Sequence, residues 1–302
     1  MRRTLSRFAV FCVLATNLPA QEPSDPPNTA DLLDAVANTA AIFTRTSPGL
    51  MAQEILHQRG RRGFIRILEQ NEEKRDEKAK NVSIKLPQEF RTHDVVSEYA
   101  LGQIGDALAI HEIRSVLTID GRVISAADEA RHALTIGFQS PDDQLKRKLL
   151  ENFERNRLEG AVTDFGPLIL LFAAAKQNNY DFTPGGDHII GAEPMLAIGY
   201  KQVSGSVGLT VFRERTAEVR ATEGEIWLRR SDLLPLRITM FTESPLARNV
   251  TIRDQAVVDY IPTEFGLAPA HIHHRQLLNA DLLVENDLQY SDYQRLTPGI
   301  VP

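Results

Sequence analysis

Two stretches, Leu234-Pro235-Leu236-Arg237-Ile238-Thr239-Met240 and Val250-Thr251-Ile252-Arg253-Asp254-Gln255-Ala256-Val257-Val258-Asp259, gather most of their apolar residues in one alternating phase. Leu234, Leu236, Ile238 and Met240 share one phase, as do Val250, Ile252, Ala256 and Val258. Arg237, Thr239, Arg253, Gln255 and Asp259 fill the opposite one. A period of two places successive side chains on opposite faces of a β-strand, so each stretch predicts a strand with one buried face and one wet face.

Working outward, short runs of the same kind, separated by turn residues, predict successive strands over 195–203, 208–215, 217–228, 234–242, 249–260, 267–278 and 283–295, an antiparallel meander. Residues 94–122 predict two more strands, with Asp120-Gly121 as turn chemistry, and Pro184 to Asp187 reads as a turn into a strand. A sheet this large with one apolar face must bury it against other elements, and long twisted sheets curl. Three helices are available as cover. The first spans Ala30 to Phe43, capped by Thr29, with Leu32, Leu33, Val36 and Ala40 on one face. The second spans 141–159, begun by Ser140-Pro141-Asp142-Asp143 and lined by Leu145, Leu149 and Phe153. The third, Pro167 to Lys176, is apolar nearly all round and therefore sandwiched. The expected fold class is α+β: a curved antiparallel sheet, or half-barrel, wrapped around helices. It forms one domain over 30–302, with a helical insertion at about 125–177 and the main sheet at about 187–296. The charge-dense 70–80 stretch reads as solvated.

The first twenty residues, with Arg2, Arg3 and Arg7 ahead of an apolar core from Phe8 to Ala15 and a small residue at Ala20, read as a secretory signal peptide cleaved near Ala20. Gln21 to Thr29 is the linker behind it. Cys12, the one cysteine, leaves with the signal, so the mature chain uses neither disulfides nor thiolate chemistry. Loss of three arginines and no acid takes the net charge from −6 to −9, which argues against a nucleic-acid partner held by bulk electrostatics. The longest later apolar run, Pro167 to Ala175, is well short of the roughly 20 residues a bilayer-spanning helix needs.

Candidate chemistry is sparse. In Ala270-His271-Ile272-His273-His274-Arg275, His271 and His273 share a strand face about 7 Å apart, a spacing that suits two metal ligands of a hydrolase. A third would come from His188, Glu264 or Asp281. The competing reading is a polar strand face with Ile272 pointing inward. His111-Glu112 and His93-Asp94 read as exposed pairs rather than acid–base couples. No Gly-x-Ser-x-Gly elbow occurs. Ser204 to Gly208 joins two strands without opening a helix, so it is a hairpin loop and no phosphate cradle; no cofactor is signalled.

The hairpin Ile226-Trp227-Leu228, a turn through Ser231-Asp232, and Leu234-Pro235-Leu236-Arg237 resembles that of the periplasmic lipoprotein-carrier superfamily, the Lol-type half-barrels. The closing Gln289-Tyr290-Ser291-Asp292-Tyr293-Gln294-Arg295-Leu296 is also similar to that group and to secreted bacterial proteins built like it. The resemblance covers the last third of the chain. It implies an apolar concavity for a lipid or a lipoprotein, in an exported, non-enzymatic protein. No position matches the interior arginine with which the carriers latch a lid. Strand phase offers Trp227, Phe212 and Met240 as lining residues; Phe241, on the face opposite Met240, is excluded if Met240 points inward. The remaining alternative is a purely structural interaction module.

Overall fold

The computed structural model describes residues 27–63, 84–104, 109–139, 148–149, 164–204, 209–213, 216–247 and 249–296. The segment read as a signal peptide, most of the expected 141–159 helix and the 70–80 charge run lie outside them, as do the side chains of 209–219.

The chain opens with helix α1 (Thr29–Thr46). Asn28, not Thr29, is the cap: its side chain accepts from the Asp31 N–H while Asp31 accepts from the Asn28 N–H, a reciprocal box that satisfies two orphan donors. Leu32, Val36, Thr39, Ala40 and Phe43 form the buried stripe. Gly49, at φ +77, turns the chain into β1 (Leu50–Arg61). Next come β2 (Phe90–Ile104), β3 (Ala109–Ile119), the two-residue β4 (Arg122–Val123) and helix α2 (Ala127–Gln139). Asp120 and Gly121 both take positive φ between β3 and β4, the hairpin turn expected of that pair.

Pro167 to Lys176 is not one helix but two 3-10 segments, Gly166–Phe172 and Ala174–Asn179. Pro167 departs from helical geometry and Ala173 is extended (ψ 146), so no continuous i to i+4 ladder can run through the stretch. Only its first part is sandwiched: Leu168, Ile169, Leu171 and Phe172 are buried, whereas Ala174 and Ala175 are exposed, because the break at Ala173 turns the second segment out of the core.

Then follow β5 (Tyr180–Ile190), β6 (Glu193–Gln202), β7 (Leu209–Arg213), β8 (Thr216–Arg220), β9 (Glu223–Arg229), β10 (Pro235–Ala247), β11 (Val250–Thr263), β12 (Gly266–Leu278) and β13 (Asp281–Arg295). Two expectations are corrected. Pro184 to Asp187 is no turn but lies within β5 as a bulge against β6, where Gly185 sits so close to Ala197 that a Cβ would come within 2.7 Å. The single strand over 217–228 is two, β8 and β9, parted at Ala221-Thr222, where the Thr222 N–H donates to Gln202 instead of a ladder partner.

Among the described residues, eleven strands form one antiparallel sheet in the order β4-β3-β2-β1-β13-β12-β11-β10-β9-β6-β5, and β7-β8 stand apart as a ribbon. The sheet is a meander with two non-sequential joins: β9 pairs with β6, leaving out the β7-β8 ribbon, and β1 pairs with β13, so the first and last strands lie side by side in its middle. It does not close, ending on β4 and β5. The concave face is covered by α1 and the first 3-10 segment. These bury Val36, Ala40, Phe43, Ile169 and Phe172 against Ile198, Ile226, Ile238, Val258 and Ile272. On the convex side α2 covers β2 and β3, packing Leu134 and Phe138 on Met51, Ala100 and Ile113. Gly102 makes that fit possible, since a Cβ there would lie 2.6 Å from Phe138. The molecule is thus the α+β half-barrel over helices that the alternating stretches predict.

Candidate functional site

The interior of the half-barrel is not uniformly apolar. Inward-facing residues of β1, β2, β3, β11, β12 and β13 include two groups that are polar and buried.

The first group crosses four neighbouring strands and reaches β8. Gln58 donates to Asn286 Oδ1 (2.8 Å), Asn286 Nδ2 donates to His274 Nδ1 (3.2 Å), and His274 Nε2 donates to Asp254 Oδ1 (3.0 Å). Asp254 also accepts from Gln276 (2.9 Å) and from Arg220 (2.7 Å). Asp254 thus gathers His274 and Gln276 on one oxygen and Arg220 on the other, and the Arg220–Asp254 pair balances its own charge. Burial pushes the Asp254 carboxyl up, but the His274 hydrogen bond and the Arg220 charge outweigh it and hold the acid below its ordinary range. The Phe165 ring lies over the imidazole, 4.6 Å between centroids.

The second group sits under β1, β2 and β3. Arg114 Nε donates to both oxygens of Glu54 (2.7 and 2.9 Å), and its Nη2 donates to Glu112 Oε2 (3.0 Å). Glu112 Oε1 accepts from the Tyr99 hydroxyl (3.0 Å) and from the Gly166 N–H (2.9 Å). Burial, with Asp164 and Glu54 adding repulsion against the pull of Arg114, raises the Glu112 carboxyl to about 7. Tyr99 and Tyr290 pack edge to face at 4.8 Å, and burial drives both phenols up. The expected exposed His111-Glu112 pair is therefore corrected. Glu112 is fully buried on the inner face, while His111 bonds Asp164 at 2.7 Å. On an edge-proximal strand, the same local sequence serves a wet face or a dry one depending only on phase.

Both groups converge on one short strap, Asp164 to Phe172. Asp164 accepts from the Glu112 N–H (3.0 Å), Phe165 covers His274, and the Gly166 N–H enters the Glu112 carboxylate. The Gly166 carbonyl accepts from the Tyr260 hydroxyl (3.0 Å), which in turn accepts from the Ile169 N–H (3.3 Å). A Cβ at Gly166 would lie 2.4 Å from Glu112 Oε1 and 2.8 Å from the Tyr99 oxygen, so only glycine fits.

Of the residues proposed from sequence, Met240 is buried in the main core on the concave side, and Phe241 is half-buried on the other face. Trp227 is on the convex face, stacked on His188 at 4.0 Å with Arg237 5.1 Å above it and its indole N–H donating to Glu225. Its neighbours Ile226 and Leu228 take the inward phase, so Trp227 is not part of the concave lining. Phe212 pairs through its backbone with Ala217 in the β7-β8 ribbon, and its side chain is outside the described residues. His271 and His273 face outward, with Ile272 fully buried between them. His271 Nε2 bonds Asp287 (2.9 Å) and approaches Asp259 (3.8 Å). His273 lies 3.6 Å from Glu285 and 3.8 Å from Asp287. Among the described residues no three His, Cys, Asp or Glu side chains come together as a metal-ligand set, and neither His188, Glu264 nor Asp281 joins the pair.

Asp254, His274, Gln276 and Asn286 went unread in the sequence, although phase exposes the first two: Asp254 falls between Ile252 and Ala256, and His274 two places from Ile272. Among the described residues, no helix is long and apolar enough to cross a membrane.

No family model matches the chain, and no curated protein does. Solved structures that the chain matches include a LolA superfamily protein from Nitrosomonas europaea (10% identity, TM-score 0.30, covering 87% of this chain and 93% of that one). A DUF1329 family protein from Desulfovibrio piger matches at 10% identity and TM-score 0.34, covering 87% and 92%. MucB in its complex with MucA from Pseudomonas aeruginosa matches at 12% identity and TM-score 0.21, covering 88% and 99%. The class of fold, read from the chain's own topology, is a half-barrel: an unclosed antiparallel sheet over helices.

Proposed function

We propose that this is an exported binding protein and not a catalyst, and that its concave face takes up an apolar ligand or an apolar segment of a partner protein in the cell envelope. The observation that carries this reading is how the concavity is closed. The sheet never closes on itself, and its apolar face is sealed by two separate pieces, α1 and the 3-10 strap, neither of which is a strand of the sheet. A surface covered by elements outside the sheet can be uncovered without breaking a ladder hydrogen bond. The titratable groups of the interior are engaged with one another and with the strap, an arrangement for positioning a segment and not for turning over a substrate.

The test is a titration of the delipidated protein, and of Phe172→Ala, with the neutral probe phenylnaphthylamine and with a fluorescent fatty-acyl chain. A saturable, blue-shifted signal from either probe is the expected result; flat titrations in both proteins overturn the reading.

A further inference from the structure

We infer that the strap Asp164 to Phe172 is a built-in occupant of a peptide groove, and that the groove's external ligand is an apolar peptide segment led by glycine. The inference rests on the binding reading above and names the chemistry of its ligand.

The strap is held as a ligand is held. Both polar atoms of its lead residue are read: Glu112 accepts from the Gly166 N–H and Tyr260 donates to the Gly166 carbonyl. The four apolar side chains that follow, Leu168, Ile169, Leu171 and Phe172, are buried in the main core. Gly166 has no positive φ, so its requirement is one of space: the Glu112 carboxylate and the Tyr99 hydroxyl occupy the volume a Cβ would need.

The reading groups also belong to the sheet rather than to the strap. Glu112 is fixed by Tyr99 and Arg114, Arg114 by Glu54, and Tyr260 by its place in β11. None of these anchoring bonds is made to the strap. An alkyl chain entering in its place would offer Glu112 no donor and Tyr260 no acceptor, leaving a buried carboxylate and a buried hydroxyl without those partners, a large penalty for each. A fatty acid's own carboxylate would in addition face Glu54 and Glu112. A peptide supplies the N–H and the carbonyl together, at the spacing the strap already shows.

Phe172→Ala loosens the strap without touching Glu112 or Tyr260, and Leu171→Ala serves as an independent second variant. The probe is a dye-labelled peptide of the strap's own sequence, Asp164 to Phe172, with a solubilising lysine tail, measured by fluorescence anisotropy against folded protein. The loosened variants should bind it roughly tenfold or more tighter than the parent chain, because the intramolecular competitor no longer holds the groove. A peptide with valine in the Gly166 position should lose roughly the same factor. Equal binding of the two peptides, or no peptide binding by variants that still take up phenylnaphthylamine, overturns the inference and leaves the binding reading standing. Variants that are folded yet bind neither peptide nor neutral probe sink both.

Discussion

The two faces of the same strands use the same residue types to opposite ends. On the convex side Arg237–Asp259, His271–Asp287 and His57–Asp94 line up across neighbouring strands as half-exposed pairs. On the concave side Arg220–Asp254, His274 and the Glu54–Arg114–Glu112 triad are almost wholly shielded from water. In β12 the contrast occurs within one strand, His271 and His273 outward and His274 inward. Solvent screens the outer pairs and can replace either partner, whereas inside nothing replaces a missing one. A charged pair is therefore worth what its surroundings make it worth.

The sharpest way to break this contrast is Arg114→Ala, which strands Glu54 and Glu112 inside the molecule. A loss of about 3–5 kcal/mol is expected from the shift in the urea unfolding midpoint. Asp254→Ala removes the acceptor shared by Arg220, His274 and Gln276 and should cost about 3 kcal/mol by the same measurement.

Glu112 sharpens the comparison through pH. Its folded-state value, about 7, exceeds the ordinary 4.5, so in that interval the folded chain holds a proton that the unfolded chain has lost. The resulting stability is fully present below pH 4.5 and disappears as pH rises through 7. Between pH 5 and 8 it should reach at most about 3 kcal/mol, and it should be missing from Glu112→Gln. The lowered carboxyl of Asp254 works with the opposite sign, being lost only as pH falls below the ordinary carboxylate range, so the two effects separate. The smallest effect belongs outside: His271→Ala should shift the midpoint by less than about 1 kcal/mol, and added salt should shrink it further. A loss of several kcal/mol there would erase the distinction between the faces.

Much of the architecture was legible because most inward residues of β10 to β13 are apolar, which makes a period of two visible. Strand β1 was not read for the complementary reason: its inward positions include Glu54 and Gln58, so polarity appears in both phases and the alternation vanishes. The same polar substitutions that hide the strand make up the interior site. Strand phase offers Trp227 as lining only if its own phase is the inward one, and Ile226 and Leu228 claim the inward phase of β9 instead. The strap read as a helix because hydropathy records burial and not hydrogen-bond pattern; only Pro167 and Gly166 hinted at the break.

The pairing of β1 with β13 has a consequence for biogenesis. Ribosomes deliver Leu50–Arg61 long before Asp281–Arg295, so for most of synthesis one edge of the earliest strand has no neighbour. Such a distant closure makes assembly slow and leaves a sticky border open meanwhile. A chain truncated within its final strand should collect as aggregate instead of persisting as a shortened domain.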